Sequence, residues 1–252
     1  MMQEERRALI LKLLDKTPLL RLEDLSKRLG VSMDTTRRDL KAMDRDGLLQ
    51  YVRGGVKALR QKEQFYPFKG REIINIALKK EAARKALQWV KKDDVIFLNS
   101  GTTNTIFARE LAHTLLPCTV ITNNIAAATA AAINPQCQVR ILGGLLDGKE
   151  QSTCGAECLR QVPAIYADIC FLSINALDLK AGLTDFRLEE IPIIQAARQN
   201  ARQCAAIMDS TKVGRIAKQQ VFPPQSAPMI IMDSKITAED KARYMSRGIQ
   251  IL

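Results

Sequence analysis

Val31-Ser-Met-Asp-Thr-Thr-Arg-Arg-Asp-Leu-Lys-Ala-Met-Asp-Arg-Asp-Gly47 decides how the first part of this chain is read. Ser32 suits an N-cap, its hydroxyl accepting from an otherwise orphan backbone N–H. Asp34 falls in the first turn, where the helix dipole favours negative charge. Thr36, Leu40 and Met43 stand at i, i+4 and i+7, one stripe facing inward. Asp34, Arg38, Lys41 and Arg45 make a second stripe, with Arg37 beside it. A basic face opposite an apolar one suits a helix docked in a major groove. Arginine can fork onto guanine O6 and N7, and Lys or Arg neutralises phosphates. Taken alone, the same face also reads as the solvated side of an ordinary helix.

The flanks separate the two readings. Residues 6–16 carry Leu9, Ile10, Leu13 and Leu14 at helical spacing, and Thr17-Pro18 ends that helix. Residues 22–29 form a short second helix with Leu22, Leu25 and Leu29 inward, and Gly30 permits the stop. Helix, short turn and basic helix is the helix-turn-helix plan. After Gly47, residues 48–58 predict a β-hairpin whose turn, Arg53-Gly54-Gly55, lets backbone and guanidinium approach DNA: a wing.

Charge agrees. The 252-residue chain has a formal net charge of +11. Residues 1–62 hold 15 Lys and Arg against 9 Asp and Glu, and the other 190 residues hold 23 against 18. Positive charge is therefore roughly fourfold denser in the first quarter, which favours nucleic acid as a partner. The six cysteines form no Cys-x-x-Cys, and the single His113 has no partners at zinc spacing. Free thiols in a reducing compartment, no metal and no cofactor are expected. The first residues lack a secretory core, and no apolar run is long enough for a membrane, so a cytoplasmic protein is expected.

Residues 61–72 are polar, with Pro67 and Gly70, and read as a linker between a domain at 1–60 and another at 73–252. Phe65, Tyr66 and Phe68 suggest that this linker docks on a neighbour rather than swinging free. Beyond it, helices and strands alternate. Helices are expected at 73–91, 103–115, 125–133 and 189–201, the last tolerating Pro192 only in its first turn. Short apolar strands are expected at 94–98, 118–122, 138–142, 167–173, 204–208, 229–232 and 249–252. The fold class is α/β: a winged helix-turn-helix, then an open, mostly parallel sheet covered by helices on both faces.

In such sheets ligands bind beyond the carboxyl ends of strands. Asn99-Ser100-Gly101-Thr102-Thr103 follows one strand and opens a helix, a cradle for phosphate. It is not a Walker loop, because no Gly-Lys-Ser/Thr follows. Thr122-Asn123-Asn124, Gly143-Gly144 and Asp209-Ser-Thr-Lys212 follow later strands, and Lys212 can meet an anion. Each turn alone is also what a plain helix cap looks like.

Thr-x-Arg-Arg-Asp-Leu at 35–40, followed by Gly47-Leu48 and Gly54-Gly55, resembles the winged helix of the DeoR family of bacterial transcriptional regulators. Thr36 stands where that family usually has Ile, Val or Leu. The likeness continues through the four strand-end turns, so it spans nearly the whole chain. It implies a second domain similar to ribose-5-phosphate isomerase, sensing small phosphorylated sugars. The family's Asp-x-Gly-Thr-Thr falls on residues 99–103, its Thr-Asn on Thr122-Asn123, its Gly-Gly on Gly143-Gly144. Its Asp-x-Ser-Lys-x-Gly falls on residues 209–214 and its helix acid on Glu190. Asn99 replaces the usual aspartate and Ile194 a common lysine, two losses of charge that count against catalysis.

The reading is a DNA-binding regulator and not an enzyme: a repressor of a carbohydrate operon, released from operator DNA by a phosphorylated sugar. Ser32, Thr35, Thr36, Arg37, Arg38, Lys41 and Arg53 are the expected DNA contacts. Residues 99–103, 122–124, 143–144, Glu190 and Lys212 are the expected effector contacts. Twofold operators imply a homodimer or homotetramer. The rivals are a sugar-phosphate isomerase or deaminase with an added basic domain, and a non-specific nucleic-acid binder.

Overall fold

The structure, a computed structural model, describes residues 1–59 and 66–252 and divides into two compact units, Met1–Asn75 and Ile76–Leu252. The first unit runs α1 (Gln3–Lys16), β1 (Leu19–Arg21), α2 (Leu22–Leu29), α3 (Met33–Arg45), β2 (Gln50–Val52), β3 (Gly55–Lys57) and α4 (Phe68–Ile73). Gly30 ends α2 in the left-handed conformation, φ +64°. Ile10, Leu14, Leu25, Leu40, Met43 and Val56 close one buried core. The hairpin β2–β3 gains a third strand, because β1 pairs antiparallel with β3. A three-residue strand is fixed by its neighbour and not by its own composition, so it was not read from the sequence.

The supposed linker is largely part of this unit. Tyr66 and Phe68 are buried, Tyr66 within the same core, and α4 lies against α1. Phe65 falls outside the described residues. The helix expected at 73–91 is shorter, α5 (Ile76–Leu87): α4 ends at Ile73, and Asn75, at φ +55°, separates the two. Asparagine tolerates that conformation better than most side chains.

The second unit continues with β4 (Val95–Leu98), α6 (Thr102–Ala112), β5 (Cys118–Thr122), α7 (Ile125–Ala131), β6 (Cys137–Ile141), β7 (Leu145–Asp147), β8 (Ser152–Cys154) and α8 (Gly155–Gln161). Then follow β9 (Ala167–Leu172), β10 (Ala176–Asp178), β11 (Gly182–Asp185), α9 (Ile191–Gln199), β12 (Ala201–Met208), β13 (Gln219–Phe222), β14 (Met229–Met232) and α10 (Ala238–Met245). Six strands form the main sheet in the order β14-β12-β9-β4-β5-β6, and each pair is parallel. Side chains alternate between two buried clusters. Ile96, Leu98, Ile169, Phe171, Ala205 and Ile207 face one, and Phe97, Cys170, Leu172, Ala206 and Met208 face the other. That period of two, apolar on both sides, is what a sheet covered on both faces requires.

Several short strands lie outside the expected plan. The hairpin β7–β8 stands apart from the main sheet, and β10-β11-β13 form a small antiparallel sheet. The strand expected at 249–252 is reduced to a bridge between Ile251 and Ile230. All six cysteines are free thiols. No helix among the described residues is long and apolar enough to cross a membrane.

The topology fixes where chemistry collects. From β4 the chain moves through β5 to β6 on one side, then returns to β9, β12 and β14 on the other. The carboxyl ends of β4 and β9 therefore flank a switch point, the usual position of a ligand crevice.

Candidate functional site

In the first unit α3 is capped as expected. Ser32 Oγ accepts from Thr35 N–H at 3.2 Å. Thr36 is fully buried and its hydroxyl donates to Ser32 O at 3.1 Å. The sequence pattern sets Thr36 among the DNA contacts, and its burial corrects that: it sets the helix and does not reach a groove. Asp39 is also buried, accepting from Arg6 Nε at 2.7 Å and Gln3 Nε2 at 3.1 Å. The acid of the Arg-Arg-Asp run thus ties α3 to α1. Arg37 is paired with Asp34 at 2.5 Å, whereas Arg38, Lys41 and Arg45 are exposed. With Arg7, Gln3, Asp44 and Tyr51 they line a groove of about 770 Å³.

The wing carries Arg53 exposed at its turn, with Gly54 at φ +80°. Gly55 has a different task. A Cβ there would lie 2.2 Å from Leu20 O, so its absence lets β1 pack, and Gly55 is buried away from any groove.

In the second unit a cavity of about 260 Å³ opens at the carboxyl ends of the strands. Ser100 and Glu190 supply part of its wall. The hairpin β7–β8 supplies Asp147, Lys149, Glu150, Ser152 and Cys154, and the turn before α9 supplies Phe186, Arg187, Leu188 and Glu189. The hairpin is pinned to the end of β5 by Thr153 N–H donating to Asn123 O at 2.9 Å and Ile125 N–H to Gln151 O at 3.0 Å.

Most other expected effector residues form a polar frame behind the cavity instead of its wall. Asn99 Nδ2 donates to Ser173 O at 3.1 Å, and Asn99 Oδ1 accepts from Ser173 N–H at 2.7 Å, across the switch point. Thr122 Oγ1 donates to Leu98 O at 2.6 Å and accepts from Asn124 N–H at 3.0 Å. Asn124 caps α7 and donates to Gly101 O at 3.0 Å. Asn123 Nδ2 donates to Thr153 O at 2.9 Å and Glu190 Oε2 at 3.0 Å, while Glu190 Oε1 accepts from Ser100 N–H at 2.8 Å. Gly143 exchanges backbone hydrogen bonds with the Gln161 side chain, at 3.2 and 3.1 Å. Lys212 Nζ donates to Ile174 O at 2.8 Å. Two glycines are required sterically. A Cβ at Gly101 would meet Ser173 Oγ at 2.4 Å, and one at Gly144 would meet Cys154 O at 2.6 Å.

At the first turn of α6, Thr102 and Thr103 are buried, and Thr103 Oγ1 has no partner among the described residues. Their amides belong to the helix start, where no intrahelical acceptor exists.

The sequence reading missed Arg187. Its buried guanidinium donates through Nε and Nη2 to Asp185 at 2.9 and 2.6 Å, through Nη1 to Ser100 O at 2.8 Å and Oγ at 2.9 Å, and through Nη2 to Ser173 O at 2.8 Å. Burial disfavours its charge, but Asp185, then Glu190 and Glu150, hold its pKa above the ordinary value. Nothing at Arg187 in the sequence foretells this, because the partners come from three separate segments. The hydrogen bond it gives to Ser100 Oγ leaves the serine proton for another acceptor. Burial, then Asp147, Glu189 and Glu190, raise the pKa of Cys154. That thiol is held in its protonated, less reactive form at neutral pH. Among the described residues no group of three or more His, Cys, Asp or Glu could hold a metal.

Comparison with known proteins agrees with this division. Residues 6–62 match the DeoR-like helix-turn-helix domain and residues 74–234 the DeoR C terminal sensor domain. The chain is 30% identical over 247 residues to the HTH-type transcriptional regulator GolR of Listeria innocua, covering 98% of this chain and 97% of that one. It is 26% identical to the glycerol-3-phosphate regulon repressor of Escherichia coli K12, covering 95% and 99%. Among solved structures, ribose 5-phosphate isomerase A from Methanocaldococcus jannaschii aligns with 55% of each chain at a TM-score of 0.41 and 20% identity. The full-length relatives are named as regulators and not as enzymes, and the two family matches meet on one chain: the protein belongs to the DeoR family of DNA-binding transcriptional regulators.

Proposed function

We propose that this regulator is a repressor of a carbohydrate-metabolism operon and that a small phosphorylated sugar, or a related polyol phosphate, releases it from operator DNA. The observation that carries the ligand class is the mixture of donors and acceptors around the 260 Å³ cavity. Lys149 and the Ser100 hydroxyl, backed by Arg187, offer donors to a phosphate. Asp147, Glu150 and Glu189 offer acceptors to sugar hydroxyls. The start of α6 lies directly behind Ser100, where a helix N-terminus favours an anion. The name of the glycerol-3-phosphate regulon repressor points to the same class.

Arg38, Lys41 and Arg45 on α3 and Arg53 on the wing would meet DNA, with Ser32, Thr35 and Arg37 at the start of the helix near the backbone. The ligand acts by binding more tightly to the arrangement that lets DNA go; equal affinity for both would shift nothing. A twofold operator requires at least two chains.

Fluorescence anisotropy tests this. DNA from upstream of the protein's own gene should bind more tightly than scrambled DNA at fixed salt. One phosphorylated sugar should release it while its unphosphorylated parent does not. Equal potency of parent and phosphate, or no response to any phosphate, would overturn the ligand class. Equal affinity for both DNAs would overturn operator recognition.

A further inference from the structure

We propose that a second copy of this chain pairs with strand β6, edge to edge and antiparallel, about a twofold axis at Val139. The two rims of the main sheet differ. At β14 residues 250–252 run alongside: Ile230 N–H donates to Gln250 O at 2.8 Å, Leu252 N–H to Ile230 O at 2.9 Å and Met232 N–H to Leu252 O at 3.2 Å. β6 is the opposite rim, with no strand beyond it among the described residues.

The register shows which backbone groups of β6 point outward. Thr122 lies opposite Ile141, and Leu142 N–H donates to Thr122 O at 2.8 Å. In a parallel ladder alternate residues bond to the same neighbour. Gln138 and Arg140 therefore turn their N–H and C=O toward β5, and those of Val139 and Ile141 face away from the sheet. A bare rim of this kind is a template for another strand.

The rim's own sequence selects a copy of itself. Cys137-Gln-Val-Arg-Ile141 alternates apolar and polar and has the same pattern in both directions. Antiparallel pairing centred on Val139 sets Cys137 opposite Ile141 of the partner subunit, and Gln138 opposite Arg140 of the partner subunit. The strand's one charge then meets an amide. Centring on Arg140 would put two guanidiniums face to face, which is destabilising, and would present the wrong backbone groups.

A pair of five-residue strands alone is small beside the roughly 800 Å² per partner of a stable interface. Apolar side chains near both ends of β6 extend it: Ile133 is 71% exposed, Ile141 47%, Leu145 74% and Leu146 59%. Antiparallel pairing brings the Ile133 end of one copy to the Leu145 end of the other.

The inference rests on the reading that operator binding needs two chains. Sedimentation of the full-length protein tests it, with Val139→Pro and Ile141→Lys as variants. The wild type should sediment with the mass of two chains and both variants with the mass of one. Proline is tolerated on an edge strand where the lost N–H faces out, so Val139→Pro should keep the wild-type circular dichroism. Arg140→Pro, by contrast, removes an N–H given to β5 and should lower the melting temperature. A dimer that survives both Val139→Pro and Ile141→Lys overturns this surface and leaves the two-chain reading standing. A monomeric wild type overturns both.

Discussion

The side-chain amide of Asn99 both donates to Ser173 O, at 3.1 Å, and accepts from Ser173 N–H, at 2.7 Å. This two-point clasp joins the ends of β4 and β9 where the sheet changes direction. An ionised aspartate could accept but not donate, and it would set a carboxylate oxygen against the Ser173 carbonyl. Asn99→Asp is therefore expected to lose ~1–3 kcal/mol of stability at neutral pH. Urea denaturation checks this; an unchanged midpoint would show that the clasp contributes nothing.

Arg38 stands exposed on α3, beside the basic groove. If Arg38→Ala removes a base contact, specific DNA binding should weaken by ~1–3 kcal/mol, with relaxed preference at one position. Competition with single-base operator variants reads this directly. Uniform weakening, with a shallower dependence on salt, would assign Arg38 to phosphate instead.

Lys149 lies on the hairpin wall of the cavity. Its ammonium is expected to pair with a phosphate, and a hydrogen bond to a charged group contributes about 1.5–3 kcal/mol. Lys149→Ala should raise the sugar-phosphate concentration needed to release DNA by roughly 10-fold or more. Affinity for DNA without ligand should not change. An unaltered release curve would remove Lys149 from the site.

Glu110 on α6 meets Lys80 at 3.1 Å and Arg84 at 2.6 Å on α5. Burial alone would raise its pKa, but Arg84 and Lys80 outweigh that and hold it below the ordinary 4.5. The folded state therefore releases this proton more readily than the unfolded chain. The stabilisation is fully present above the ordinary carboxylate range and is lost as pH falls through the lowered value. Glu110→Gln should cost ~0.5–1 kcal/mol at neutral pH, because the two cations are largely solvated. That difference should vanish in acid. A difference that does not shrink as the pH falls would point to packing, not charge.

The sequence carried the large features because each has a period. The stripe of Thr36, Leu40 and Met43 placed α3, and the apolar runs at β4, β5, β9, β12 and β14 placed a parallel sheet. What escaped depends on partners far along the chain. β1 exists because β3 lies beside it. Residues 66–72 read as linker, because Tyr66 and Phe68 show their purpose only when buried. At the cavity, the strand-end turns were found, but their atoms were assigned outward. Thr122, Asn124 and Asn99 spend their hydrogen bonds on the frame. Beyond Ser100 and Glu190, the wall comes from residues 186–189 and the β7–β8 hairpin, whose sequence has no distinctive spacing.

Gly54 and Gly55 sit side by side, yet they answer to different constraints. Gly54 needs only a backbone turn with open space around it, a demand asparagine can partly meet. Gly55 has a carbonyl oxygen where a methyl group would be. In a library saturating both codons, position 54 should return a small family of survivors and position 55 a single letter. A conservation profile scored by residue type alone would give the two the same weight, although one records a bend and the other a collision.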